Sequence, residues 1–263
     1  LAVNPDVVTL DVEMPHLDGL ATLQRIMAEC PTPVIMLSAL TQSSARTTVR
    51  ALLLGAVDFV PKPSAAVALQ GVISDLIAKI KIAASTTLKS PKVLTAPPLM
   101  PPVVNKSEER PFRNCDSLIV IGASAGGPRA LRQVLPHLPA DLPAAVVVVQ
   151  HMPAAFTPAM AQRFDEISSL IVREAQPDEH LACGKVLIAP GDFHLRFSNR
   201  KKVTLDQEPR HHGVRPAVDI TMESAAKQIG KAVIGVVLTG MGTDGTTGAR
   251  AIKAAGGRII AED

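Results

Sequence analysis

The apolar positions of this 263-residue chain fall into short runs separated by segments with helical spacing. In the first third, apolar runs at 6–10, 33–37 and 57–60 predict three strands. Segments at about 20–27, 43–54 and 64–82 predict the helices that follow them. Strands that alternate with helices are typical of a parallel sheet covered by helices. We therefore predict an α/β domain over residues 1–82.

Longer apolar runs in the second half, at 117–121, 144–149 and 232–238, predict buried parallel strands. Helical segments at about 129–135, 158–167, 217–229 and 249–255 accompany them, with shorter strands at 171–173, 186–189, 194–197, 203–205 and 258–261. This pattern predicts a second doubly wound α/β domain over residues 116–263. Residues 83–115 lose the periodicity and contain several Pro–Pro and Ser–Pro steps, so they predict an exposed, semi-extended linker.

Composition narrows the classes of function. Apolar residues make up 47% of the chain, enough for two cores, and Trp and Tyr are absent, which argues against base stacking. With a net charge of only +3 we predict no nucleic-acid partner. No apolar run approaches the ~20 residues of a membrane span, so we predict no membrane insertion. Cys30, Cys115 and Cys183 are far apart, which predicts free thiols in a reducing cytoplasm rather than disulfides or a zinc site.

Three successive strands of the first domain end at Asp11, Ser38 and Lys62. The carboxyl ends of parallel strands meet at one edge of a sheet, where such folds bind ligands. A carboxylate beside a hydroxyl and an ammonium group is suited to accept a phosphoryl group, because the last two can bind its oxygens. This trio predicts a phosphorylation site at the edge of the sheet.

Residues 10–19, LDVEMPHLDG, together with Lys62-Pro63 resemble the receiver domain of two-component response regulators, a flavodoxin-like fold. The resemblance implies that Asp11 is phosphorylated and that Ser38 and Lys62 contact the phosphoryl group. It also implies that Phe59 is the switch aromatic and that the Lys62–Pro63 bond is cis.

The resemblance further implies that Asp11 helps to bind Mg²⁺, together with an acidic pair that would lie upstream of Leu1. We interpret both chain ends as cut and the receiver as incomplete. Without that pair, we expect no phosphorylation by small phosphodonors, whereas a complete receiver should accept phosphate on Asp11.

In the second domain, three core strands end at Ser124, His151 and Asp244. This set can perform acyl transfer: serine attacks a carbonyl, histidine carries the proton, and aspartate orients the imidazole. Residues 122–126 also match the Gly-x-Ser-x-Gly nucleophile elbow, with the next helix beginning at Pro128. We expect the first N–H groups of that helix to point back at the turn and stabilise an oxyanion.

Two other interpretations remain open on these residues. The glycine-rich turn at 122–127 could cradle a phosphate in a nucleotide-binding module, although no acidic residue follows about 20 residues later to bind a ribose. Alternatively, the chain could be a catalytically silent signalling adaptor. The order Ser, His, Asp differs from that of α/β-hydrolases, chymotrypsin and subtilisin, which argues against an ordinary esterase.

Four segments, GASAGG at 122–127, QHMP at 150–153, IAPGDFH at 188–194 and LTGMGTDG at 238–245, resemble the chemotaxis protein-glutamate methylesterases. The resemblance covers essentially the whole chain, receiver and linker included. It implies that Ser124, His151 and Asp244 form the triad and that the Met241 backbone N–H contributes to the oxyanion hole. The position after the serine is often threonine in this family, whereas here it is Ala125.

Family membership implies a cytoplasmic enzyme that hydrolyses glutamate methyl esters on chemoreceptor cytoplasmic helices and deamidates receptor glutamines. The implied partners are those helices and a chemotaxis histidine kinase that phosphorylates the receiver. The hydrolysis itself is expected to need no cofactor, and Mg²⁺ is expected only for receiver phosphorylation. In this family the unphosphorylated receiver covers the catalytic serine.

Two polar segments have less specific patterns. Six basic residues fall within twenty positions and could steer acidic receptor helices, or could simply form a solvated face: Arg196, Arg200, Lys201, Lys202, Arg210 and Arg215. A metal site at His194, His211 and His212 is not predicted, because these residues lack a coherent spacing with acids or thiols.

Overall fold

The structure is a computed structural model that describes residues 4–15, 18–63, 69–85, 115–199, 202–240 and 242–262. The chain divides into two compact units, Leu1–Met100 and Pro101–Asp263. The predicted linker falls almost entirely outside the described residues. No helix among the described residues combines the length and apolarity needed to cross a bilayer.

The described residues of the first unit form three strands and three helices, as the sequence predicts. Its parallel sheet has the order β1-β2-β3, formed by β1 (Val8–Asp11), β2 (Val34–Ser38) and β3 (Asp58–Pro61). The helices are α1 (Gly19–Glu29), α2 (Gln42–Leu54) and α3 (Leu69–Ser85). The predicted beginning of α3, at 64–68, lies outside the described residues.

Local signals explain where the first two helices begin and end. Asp18 caps α1 by accepting the Ala21 N–H at 2.7 Å, and Thr41 caps α2 by accepting the Ser44 N–H at 3.2 Å. Gly55 ends α2 with φ of 120°, a conformation that favours glycine. The expected cis bond at Lys62–Pro63 is not found, since the cis bond in the described ranges is Arg215–Pro216.

The second unit is built on a six-stranded parallel sheet of order β11-β10-β4-β5-β7-β6. Its strands are β4 (Ser117–Ala123), β5 (Ala144–Gln150), β6 (Ile171–Glu174), β7 (Lys185–Ile188), β10 (Val233–Val237) and β11 (Arg258–Ala261). The helices are α4 (Gly127–Val134), α5 (Thr157–Ile167), α6 (Val218–Ile229) and α7 (Thr246–Ala254). The short strands β8 (His194–Ser198) and β9 (Lys202–Asp206) form a separate antiparallel hairpin.

Both faces of this sheet are covered. Val147 and Val149 of β5 belong to a core that includes Met222 of α6 and Ile252 of α7. The alternate residues of β5 point to the opposite face, and Val148 is as fully buried as its neighbours. The predicted doubly wound architecture is therefore confirmed, and the strand order reverses between β4 and β10, the position where such folds bind ligands.

The prediction that all three cysteines are free thiols is wrong for two of them. Cys115 and Cys183 form a disulfide with a Cα–Cα distance of 5.3 Å, while Cys30 is free. Cys115 lies just before β4 and Cys183 just before β7. Both therefore approach the amino edge of the same sheet, a proximity that a sequence separation of 68 residues does not reveal.

The tight contact between α1 and the end of β1 generates a stability prediction. A Cβ added at Gly19 would lie 2.1 Å from the Asp11 carbonyl oxygen, a backbone atom, whereas one added at Gly71 in α3 would meet nothing within 4 Å. Gly19→Ala should destabilise the first unit by about 1–3 kcal/mol. Gly71→Ala, the matched control, should leave stability unchanged or raise it by up to about 1 kcal/mol.

The measurement is hydrogen exchange of the full chain under increasing urea, followed in peptides from residues 18–63. Equal unfolding midpoints for the two variants would contradict the close approach at Gly19.

Candidate active site

Ser124 lies directly after β4 in a turn held by backbone hydrogen bonds. Its N–H donates to the Thr239 carbonyl at 3.0 Å, and its own carbonyl accepts the Gly127 N–H at 2.9 Å. Gly126 completes the turn with φ of 74°. A Cβ on Gly240 would lie 2.8 Å from the Ser124 Cβ, so glycine is required where the two loops meet.

His151 connects the serine to Asp244. Its Nδ1 lies 3.0 Å from the Ser124 Oγ, and its Nε2 lies 2.7 Å from the Asp244 Oδ2. The backbone fixes this position because the His151 N–H donates to the Ala123 carbonyl at 3.1 Å. To take the serine proton, the imidazole must accept at Nδ1 and carry its own hydrogen on Nε2, where the carboxylate accepts it.

Asp244 is a buried carboxylate held by three hydrogen bonds. Its Oδ2 accepts from His151 and from the Val218 N–H at 2.7 Å, and its Oδ1 accepts from the Asp219 N–H at 2.9 Å. Burial alone would raise the pKa of Asp244, but these bonds outweigh burial and lower the pKa below its usual range. Asp244 is therefore held ionised, ready to orient the imidazole and to stabilise its protonated form.

Two side chains that sequence reasoning did not single out position this triad. Gln150 is buried, and its Nε2 donates to the carbonyl oxygens of Ser124 at 2.8 Å and His151 at 3.3 Å. Asp219 is also buried, and its Oδ1 accepts the N–H groups of Gly245 at 2.9 Å and Gly248 at 2.7 Å. A signal for Gln150 was present, namely a polar residue that ends an otherwise apolar buried strand.

The described residues supply none of the expected oxyanion donors. Met241 lies outside the described residues. The prediction that the first N–H groups of α4 serve the oxyanion is wrong in this structure. The Gly127 N–H donates to the Ser124 carbonyl, the Arg129 and Ala130 N–H groups donate to the Gly126 carbonyl, and Pro128 has no N–H. These donors are already engaged by the turn itself.

In the first unit, the structure brings Asp11 and Lys62 together as predicted. Lys62 Nζ lies 2.5 Å from Asp11 Oδ2, and the Glu13 N–H donates to Asp11 Oδ1 at 3.1 Å. Burial would raise the pKa of Asp11, but the hydrogen bonds and the charge of Lys62 outweigh it and lower the pKa below its usual range.

Ser38 is placed at the same sheet edge, but its hydroxyl is engaged elsewhere. It donates to the Ala39 carbonyl at 3.1 Å and accepts from the Thr48 hydroxyl at 2.7 Å, and the residue is fully buried. The Lys62 N–H donates to the Ser38 carbonyl at 2.7 Å, which links the two strand ends. Phe59 is buried, with Lys79 Nζ 5.4 Å from the centre of its ring.

The described residues around Asp11 do not by themselves make a Mg²⁺ set. Mg²⁺ requires nearly octahedral oxygen ligands, but Asp11 is already paired with Lys62. Glu13, the nearest carboxylate in sequence, accepts a hydrogen bond from the Ser44 hydroxyl at 2.5 Å. No group of three possible metal ligands occurs here among the described residues.

The three described arginines of the basic segment are each paired with a carboxylate of the second unit. Arg196 pairs with Asp206 at 2.7 Å and with Glu208, while Arg215 pairs with Asp192 at 2.7 Å. Arg210 also pairs with Asp192, at 3.2 Å. Arg200 and Lys201 lie outside the described residues. The described arginines therefore present less free positive charge than the sequence suggests.

The second unit thus combines a doubly wound parallel sheet with a serine, a histidine and an aspartate in a continuous hydrogen-bonded series at its switch point. This is the architecture of a serine hydrolase, and it follows a unit in which a strand-end aspartate pairs with a strand-end lysine, the arrangement expected of a receiver.

Comparison with known proteins agrees with this class. The family model for CheB methylesterase matches residues 119–263, and that for the response regulator receiver domain matches residues 2–74. A relative from Symbiobacterium thermophilum named protein-glutamate methylesterase/protein-glutamine glutaminase is 48% identical over all of this chain and 75% of its own length. One of the same name from Thermotoga maritima is 44% identical over the whole chain and 76% of its own length.

A solved structure is also similar. The crystal structure of the Thermotoga maritima CheB methylesterase catalytic domain matches with 49% identity and a TM-score of 0.54, over 56% of this chain and 79% of that one. The chain belongs to the CheB methylesterase family and carries a response regulator receiver domain.

The hydrogen bonds of Asp244 generate a prediction with a defined pH dependence. Asp244→Asn replaces one acceptor oxygen by a donor that faces an N–H group, so the free energy of unfolding at pH 7 should fall by about 1–3 kcal/mol. Because folding lowers the pKa of Asp244, its contribution is present above the unfolded value of 3.8 and is lost as the pH falls through the folded value.

Urea unfolding of the full chain, followed by circular dichroism, should therefore show a gap between parent and variant that narrows below pH 3.8. Asp141→Asn, at an exposed position, serves as the control and should stay within about 0.5 kcal/mol of the parent. A gap that widens towards acid pH would contradict the lowered pKa.

Proposed function

We propose that this protein hydrolyses glutamate methyl esters on chemoreceptor cytoplasmic helices, releasing methanol, and that it also deamidates receptor glutamines. The observation that carries the proposal is the continuous series from Ser124 Oγ through His151 to Asp244. It is supported by the names of the relatives, which specify both activities. We place the protein in the cytoplasm, where those helices lie.

In the proposed mechanism Ser124 Oγ attacks the ester carbonyl while Nδ1 of His151 takes the serine proton. The imidazolium that forms is stabilised by the ionised Asp244. Collapse of the tetrahedral intermediate breaks the bond to the methoxy group, which leaves as methanol with the proton from Nδ1. Water then attacks the acyl-enzyme by the reverse proton path, releasing the glutamate carboxylate and restoring Ser124.

Deamidation follows the same course with ammonia as the leaving group. The catalytic residues supply the nucleophile, the base and the acid, so the proposed hydrolysis routes no step through a metal or cofactor. We retain Met241 as a proposed oxyanion donor. The residue after Ser124 is Ala125, so no hydroxyl group at this position can assist, and the oxyanion must be stabilised by backbone N–H groups or other residues.

Removal of the nucleophile is the decisive test of this activity. Ser124→Ala and His151→Ala should each reduce methanol release from a methylated chemoreceptor fragment by about 10³-fold or more, because the triad acts as a unit. Asp244→Asn should lose less. Ser169→Ala, in the turn between α5 and β6, is the control and should retain parental activity. Retention of full activity in Ser124→Ala would refute the assignment of Ser124 as nucleophile, whereas absence of methanol release by the parent would favour the silent-adaptor alternative.

We further propose that a chemotaxis histidine kinase activates the enzyme by phosphorylating Asp11. The proposal is supported by the match to a receiver domain and by the Asp11–Lys62 pair, in which the ammonium is in reach of a phosphoryl group on the carboxylate. Ser38 is a proposed second contact, although its hydroxyl would first have to leave the Ala39 carbonyl. Phe59 remains the proposed switch residue, and Mg²⁺ the proposed cofactor of phosphorylation.

Activation is tested in a version of the chain that is extended at its amino terminus. Acetyl phosphate with Mg²⁺ should phosphorylate Asp11 and increase the rate of methanol release. Asp11→Asn should abolish both effects, since the acceptor oxygen is lost, whereas the exposed Asp6→Asn should preserve both. Phosphorylation is measured by mass spectrometry, and a rate increase that survives Asp11→Asn would place the site elsewhere.

A further inference from the structure

Two adjacent histidines and a buried carboxylate converge beside the active site. His211 Nε2 lies 3.6 Å from Asp219 Oδ2, and His212 Nε2 lies 3.5 Å from the same oxygen. One ligand atom from each of the three residues lies within 4.8 Å of the others. The sequence did not predict a metal site here, because Asp219 is on the next helix and its spacing from the histidines follows no familiar motif.

The Asp219 carboxylate has one oxygen that is satisfied and one that is not. Oδ1 accepts N–H groups from Gly245 and Gly248. Oδ2 is buried and accepts no hydrogen bond from any described residue, while both histidines stand just beyond hydrogen-bond distance. A buried carboxylate oxygen without a partner is costly. Its position between two imidazole nitrogens points to a cation as the missing partner.

The loop that carries the histidines is itself well defined. The His211 N–H donates to the Val214 carbonyl at 3.1 Å, and the Val214 N–H donates back at 3.0 Å. His212 and Gly213 between them have φ values of 51° and 79°, the signature of a tight two-residue turn. This turn places both rings on the same side, with centroids 4.1 Å apart.

We propose that His211 Nε2, His212 Nε2 and Asp219 Oδ2 form a binding site for one divalent transition-metal ion of the zinc class. Tetrahedral bonds of about 2.0–2.1 Å would set ligand atoms about 3.3–3.4 Å apart, close to the two separations from Asp219. Two imidazoles and one carboxylate suit zinc and its neighbours rather than Mg²⁺ or Ca²⁺, which prefer oxygen ligands. The histidine side chains are 39% and 45% exposed, so an ion can enter from solvent.

The proposed metal site is linked to Asp244 through one residue, Asp219. Asp219 contributes Oδ2 to the proposed ion, its Oδ1 holds the beginning of α7, and its backbone N–H donates to Asp244 Oδ1. The ion would therefore connect the 211–214 turn to the beginnings of α6 and α7, which lie on either side of Asp244 in the structure. The site is separate from the Ser124–His151 pair, so its occupation can be measured without turnover.

The test is isothermal titration of the full chain, without a histidine tag, with Zn²⁺. The parent should bind one ion at this site. Loss of even an outer-shell partner commonly weakens metal binding about 10–100-fold, so His211→Gln and His212→Gln should each weaken it by at least about 10-fold, and the double variant should abolish it. These exposed positions are chosen because Asp219→Asn could also disturb the fold.

His137→Gln removes an exposed histidine elsewhere in the second unit and should bind Zn²⁺ like the parent. Mg²⁺ at the same concentration should not compete. Binding should also raise the thermal unfolding temperature of the parent and of His137→Gln but not of the double variant. Equal Zn²⁺ affinity in the parent and the double variant, or no saturable binding by the parent, would overturn the proposal.

Discussion

The candidate active site depends on the hydrogen bonds that the ionised carboxylate of Asp244 accepts. This carboxylate accepts hydrogen bonds from a ring nitrogen and two backbone N–H groups, which together lower its pKa despite burial. Two of these donors come from the beginning of α6 and the third from the loop after β5. One side chain therefore fixes the loop after β10 to both neighbours and holds the imidazole in the orientation that accepts a proton from Ser124.

The sheet order makes this arrangement possible. Strands β10, β4 and β5 are consecutive neighbours, all parallel, so their carboxyl ends present Asp244, Ser124 and His151 at one edge. Close packing restricts which residues can occupy these loops. A Cβ at Gly240 would collide with Ser124, and a Cβ at Gly127 would collide with Gln150. Gly127 and Gly240 are therefore explained by the close approach of the serine loop to its neighbours, without a phosphate-binding role.

In the first unit, too, charged side chains meet at the carboxyl ends of parallel strands. Asp11 ends β1 and Lys62 follows β3, and the two side chains meet across β2, where each charge compensates the other. A phosphoryl group on Asp11 would add negative charge beside Lys62. In both units, the candidate functional residues lie where parallel strands end, since there the backbone leaves the sheet and side chains can converge.

The sequence by itself determined the number, type and order of nearly all the strands and helices, because apolar periodicity directly reflects which faces are buried. It also predicted that the serine, histidine and aspartate of the second unit meet, and that Asp11 and Lys62 meet, because each residue lies at or beyond the carboxyl end of a parallel strand. The sequence was insufficient to predict the Cys115–Cys183 bond and the acceptors to which the first N–H groups of α4 donate. It also missed the convergence of His211 and His212 on Asp219. Each of these contacts joins chain segments that are distant in sequence or depends on which backbone acceptor lies nearest after packing. Only the tertiary structure decides which groups come together.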